Sequence, residues 1–110
     1  MGKENKSYRL LVVEDNLGDF ILLEEYFKQS QLPIEKIFHA EKMAEVPALI
    51  KENVFDIALL DLTLPDSAGV DSVITLDRLL PDTPIVLFSG LATVQIAIEC
   101  ISLGAQDYMI

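Results

Sequence analysis

Three acidic residues and one hydroxyl stand where apolar runs end. Glu14 and Asp15 follow Leu10-Leu11-Val12-Val13, Asp61 follows Ile57-Ala58-Leu59-Leu60, and Ser89 follows Ile85-Val86-Leu87-Phe88. Short unbroken apolar runs of this kind suit strands buried on both faces of a parallel sheet. If the runs are neighbouring strands, their ends bring the carboxylates of Glu14, Asp15 and Asp61 to one edge. At ~4 Å and an effective dielectric of about 20, one such pair costs about 4 kcal/mol. A hard divalent cation with oxygen ligands is the natural counter-charge, and Mg²⁺ is typically held by one or two carboxylates with waters and phosphate oxygens. Acidic residues also follow strands as helix caps, so the signal lies in the combination and not in any one position.

The segments between these runs read as helices. Asn16 suits a helix cap, with Asp19 three residues on, and Phe20, Leu23 and Phe27 mark one helix face. Pro33 breaks the chain before a second strand, Ile34 to Phe38. Met43, Val46 and Ile50 mark a second helix, which tolerates Pro47 only in its first turn. Leu62 to Gly69 is a loop shaped by Pro65 and Gly69, and Ser67 suits a cap. Val73, Leu76 and Leu80 mark a third helix stopped by Pro81; Val94, Ala97, Ile98 and Ile101 mark a fourth, with Gly104 at its left-handed stop. Asp107 to Ile110 begins a fifth strand. Strand and helix alternate, which predicts an α/β fold with a parallel sheet and right-handed crossovers. Ligand sites in such sheets lie beyond the carboxyl ends of the strands, where the acids are.

Composition narrows the function. The chain has 110 residues, one domain by length, with 51% hydrophobic and 24% charged residues, a globular balance. Its net charge of −10 argues against direct contact with nucleic acid or an anionic membrane. No apolar run is long enough to span a bilayer, and Met1 to Tyr8 has no hydrophobic middle. Residues 1–8 read as a flexible tail and 9–110 as the folded domain. Cys100, the single cysteine, cannot form an intrachain disulfide and sits on the apolar side of the fourth helix, so a reducing cytoplasmic setting is expected.

Four segments carry a resemblance. Leu11 to Asn16, Leu59 to Gly69, Phe88-Ser89-Gly90 and Gly104 to Tyr108 resemble, in order and spacing, the receiver domains of two-component response regulators. The resemblance covers residues 9–110. It implies a doubly wound, flavodoxin-like five-stranded sheet in the order 2-1-3-4-5. It also implies roles. Asp61 would accept a phosphoryl group from a phosphohistidine of a sensor histidine kinase, switching the domain to control an output module or partner protein. Asp15 would bind Mg²⁺ directly and Glu14 through water, with the backbone carbonyl of Thr63 completing the protein's share of the shell. Ser89 would be the switch hydroxyl and Tyr108 the aromatic that follows it. Thr63 and Asp66 would tune the attack of water on the acyl phosphate. The family is a signalling family that takes part in its own phosphotransfer and dephosphorylation, not a class of enzymes.

The sequence departs from the pattern at one end. The family's lysine after strand five would be the residue following Ile110, with the fifth helix beyond it. A receiver cut there is expected to be less stable, or to dimerise through an uncovered sheet face.

Three rivals can be weighed on the same residues. An aspartate-nucleophile phosphatase places an acid two residues after the nucleophile, where this chain has Thr63. A degenerate receiver serving only as an interaction module would not need Glu14, Asp15, Asp61 and Ser89 together. A flavodoxin-like ligand domain needs a phosphate loop after strand one, which Glu14-Asp15-Asn16-Leu17 would repel. His39, placed after strand two, reads as a surface or packed residue and not as a ligand.

Overall fold

The computed structural model describes residues 7–30, 32–61, 64, 66 and 69–88. Within them, strands and helices alternate: β1 (Tyr8–Val13), α1 (Leu17–Ser30), β2 (Ile34–Ala40), a 3₁₀ turn (Met43–Glu45) running into α2 (Val46–Glu52), β3 (Ile57–Asp61), α3 (Gly69–Leu79) and β4 (Ile85–Phe88). All strand pairs are parallel and the sheet order is β2-β1-β3-β4. This is the expected doubly wound α/β order. The expected fourth helix and fifth strand, with Cys100 and Gly104, lie outside the described residues.

The pleat of the strands sorts their side chains onto two cores. Leu10, Val12, Ile57, Leu59 and Val86 pack with Phe20, Leu23 and Phe27 of α1 on one face. Leu11, Val13, Ala58, Leu60 and Ile85 pack with Val46 of α2 and Leu76 of α3 on the other. Successive residues of one strand thus serve opposite cores, which is why β1 and β3 read as unbroken apolar runs. All four of Leu10 to Val13 are fully buried. Among the described residues, no helix is long and apolar enough to cross a membrane.

Arg9 fastens the end of β1 remote from the acids. Its backbone N–H donates to Asp56 Oδ2 (2.8 Å), and its guanidinium donates to the Val54 carbonyl (3.0 Å), Glu35 (2.8 Å) and Asn53 (2.9 Å) while lying over the Phe38 ring. The strand is therefore held at one end by a multidentate cation and is free to present its other end.

Three boundaries differ from those expected. β1 begins at Tyr8, which the tail was expected to include, because its N–H donates to the Pro33 carbonyl (2.8 Å). β2 runs two residues beyond Phe38, through His39 and Ala40, paired with Val12 and Val13. The helix expected around Met43 opens as a 3₁₀ turn. Pro47 has no N–H to give the Met43 carbonyl four residues back, so Val46 donates to it instead, three residues back.

Candidate acidic site at the strand ends

The β1–β3 register pairs Val13 with Leu60, so the next residues, Glu14 and Asp61, fall side by side where the strands end. Asp15 follows at the mouth of the same edge. Carboxylate oxygens of Glu14, Asp15 and Asp61 come within 4.8 Å of one another. Glu14 and Asp61 are buried, at 3% and 4% exposure, while Asp15 is exposed. The three acids expected at one sheet edge therefore lie together there, two of them inside the protein and one at its rim.

The turn out of β1 is tightly determined. Glu14 N–H continues the ladder to the Ala40 carbonyl (2.9 Å). Glu14 Oε2 accepts the N–H of Asn16 (2.9 Å), and Asn16 Oδ1 in turn accepts the N–H of Asp19 (2.9 Å), capping α1 as expected. A methyl group on Gly18 would stand 3.2 Å from Asn16 Oδ1, so a side chain there would require the capping oxygen to shift by a few tenths of an ångström.

His39 lies in the strand, not after it. Its Nε2 donates to the backbone carbonyl of Glu14 (2.7 Å); a carbonyl only accepts, so Nε2 carries the proton. The imidazole stacks on Phe20 with centroids 3.8 Å apart and planes 4° from parallel. It is half-buried and packed against Phe20.

Burial pushes the Glu14 carboxyl up from 4.5 to about 7. The N–H of Asn16 opposes that shift, while the hydrogen bond with Asp61 and the negative charges of Asp61 and Asp19 add to it. Near neutral pH this edge of the protein holds a proton that an isolated glutamate would have released.

The segment after β3 reaches across to the β2–α2 connection. Leu64 is buried in the core shared by α2 and α3. Asp66 accepts the backbone N–H groups of Met43 (3.0 Å) and Ala44 (3.0 Å). The Met43 N–H holds its carboxyl below the usual carboxylate range, with Ala44 and Lys42 acting in the same direction. Asp66 thus caps a turn in a different loop. The sequence offered the signal only in part: Asp66 lies five residues after Asp61, but its partners are more than twenty residues away. Thr63, Ser89 and Tyr108 lie outside the described residues, as do Pro65 and Ser67.

Comparison with known proteins agrees with this fold. The family model of the response regulator receiver domain matches residues 10–110. The chain belongs to that family, whose members are signalling domains with an acidic Mg²⁺-binding pocket. It is 31% identical over 101 residues to the cell cycle transcriptional regulator CtrA of Caulobacter vibrioides, covering 92% of this chain and 42% of CtrA. It is 27% identical over 112 residues to the methanogenesis regulatory protein FilR1 of Methanothrix harundinacea, covering 99% of this chain and 25% of FilR1. The chain thus spans less than half the length of either relative. Among solved structures, the MaeR response regulator bound to beryllium trifluoride superposes with a TM-score of 0.67 at 25% identity, over 94% of this chain and 84% of that one.

Proposed function

We propose that this receiver domain is phosphorylated on Asp61 by a sensor histidine kinase in a Mg²⁺-dependent reaction, and that the phosphoryl group switches its hold on a partner or output module. The observation that carries the proposal is the convergence of Glu14, Asp15 and Asp61 on one strand-end edge. The donor set is made of hard carboxylate oxygens, and burial, reinforced by the neighbouring charge of Asp61, disfavours the Glu14 carboxylate in a way that a cation would offset. Asp15 would bind the ion directly, Glu14 through water, and the Thr63 carbonyl would complete the set. Bound Mg²⁺ supplies charge neutralisation for the acids and for the phosphoryl oxygens.

The chain's own residues then act as follows. A carboxylate oxygen of Asp61 attacks phosphorus in line, and the phosphorus–nitrogen bond of the phosphohistidine breaks. The departing imidazole nitrogen keeps the electron pair and is then protonated. Phosphoryl transfer depends mostly on positioning and charge stabilisation, and Asp61 is fixed by its place at the end of a buried strand. Ser89 would donate its hydroxyl to the bound phosphoryl group and Tyr108 would turn inward behind it. Hydrolysis reverses the modification: water attacks phosphorus, the bond to Asp61 breaks, and inorganic phosphate leaves. A cytoplasmic location goes with this partner.

Beryllium trifluoride, which adds to carboxylates as a phosphoryl mimic, tests the assignment. With Mg²⁺ present, ¹⁹F NMR should show a bound resonance for wild type and none for Asp61→Asn. A wild type that binds none, or an Asp61→Asn variant that binds as well, contradicts it.

A further inference from the structure

We infer that His39 is a positioning residue for the cation site, holding the Glu14–Asp15 peptide from the neighbouring strand. The inference rests on the receiver reading and extends it to a residue outside the acidic cluster. The carbonyl of Glu14 and the nitrogen of Asp15 belong to one planar peptide unit, so fixing that oxygen fixes the plane from which Asp15 departs. His39 Nε2 donates to this oxygen at 2.7 Å. Asp15 is exposed, so core packing does not orient it, and the direction of its backbone decides where its carboxylate points.

Two further contacts make the bond rigid. The β2–β1 register sets His39 beside Val12, on the face that α1 covers. There the imidazole stacks on Phe20, itself buried, in the first turns of the helix that Asn16 caps. The ring is thus clamped while its Nε2–H is aimed at the turn. Glu14 is held on its N–H by Ala40 and on its carbonyl by the adjacent His39, so two consecutive residues of β2 brace one residue of the site. Partners of this outer kind typically change metal affinity by roughly tenfold or more when removed.

Two substitutions separate the donor from the ring. His39→Phe keeps a ring on Phe20 and loses the donor; His39→Gln keeps an N–H donor and loses the ring. Mg²⁺ affinity would be measured by calorimetry on the cation-free protein, with a thermal melt in EDTA to establish folding. The expected result is a roughly tenfold weaker Mg²⁺ affinity in His39→Phe and a value within about threefold of wild type in His39→Gln. A folded His39→Phe with wild-type affinity, or a His39→Gln as weak as His39→Phe, overturns the inference. If His39→Phe does not fold, His39→Gln decides: retained affinity supports the inference and a tenfold loss overturns it. A wild type that binds no Mg²⁺ overturns both this inference and the receiver reading, whereas a wild type that binds it beside an unaffected His39→Phe overturns this inference alone.

Discussion

Glu14 and Asp61 end adjacent parallel strands, and their buried carboxyl groups hydrogen-bond each other. Two carboxylates can do so only if one keeps a proton, and Glu14 is the one pushed up to about 7. The pair makes the cation-free protein strained at neutral pH in a way that titration and metal binding both relieve.

Stability of the cation-free protein should therefore fall as pH rises. The folded-state Glu14 carboxyl is raised above its ordinary 4.5, so between that value and about 7 the folded state holds a proton that the unfolded state has lost. The unfolding free energy then decreases with pH across this window and levels off above it. The full effect is on the order of 3 kcal/mol. Urea unfolding in EDTA at pH 5.5 and pH 8 would show the decrease, and Glu14→Gln should flatten it. Saturating Mg²⁺ should raise stability more at pH 8 than at pH 5.5.

Asp61→Asn removes the charge beside Glu14 without changing shape. In EDTA at pH 8 it should stabilise the protein by about 1–2 kcal/mol. The same variant should lose most of the stabilisation that Mg²⁺ gives wild type. Thermal melts with and without Mg²⁺ measure both effects, and a destabilised Asp61→Asn would contradict the repulsion argued here.

Asn16 closes the first turn of α1 through the N–H of Asp19. Asn16→Ala should cost about 1 kcal/mol, and Asn16→Ser should recover much of it. Denaturant midpoints with an unchanged slope would show that only the cap was altered.

Asp66 ties the loop after β3 to the 3₁₀ turn before α2 through Met43 and Ala44. Asp66→Ala should lower the urea midpoint more than Asp66→Asn, because the amide oxygen still accepts one of the two N–H groups. Its carboxyl is held below the ordinary range, so this contribution is present at neutral pH and is lost as pH falls through the folded-state value. The gap between Asp66→Ala and wild type should narrow on acidification.

Much of this arrangement was readable from residue types. Leu10 to Val13 and Ile57 to Leu60 are buried on both faces, so each is a continuous apolar run, and the acids after them mark the strand ends directly. Asn16 is a strong cap and declares the start of α1. β2 was harder, because an edge strand mixes polar and apolar residues: Glu35 and Lys36 are exposed beside half-buried Ile37 and Phe38. Its last two residues, and with them the place of His39, were hidden by that mixture. The 3₁₀ turn follows from the N–H that Pro47 lacks, a local property of that residue which a search for helical periodicity does not register. The shift on Glu14 needed burial, which only the packed structure shows.

Intact-mass spectrometry after incubation with a small acyl-phosphate donor, with and without Mg²⁺, tests the central claim most directly. Wild type should gain one phosphoryl group only when Mg²⁺ is present, and Asp61→Asn should gain none. A wild type that stays unmodified under these conditions would contradict phosphotransfer to Asp61 and favour a receiver used only as an interaction module. Equal labelling of Asp61→Asn would place the phosphoryl group elsewhere.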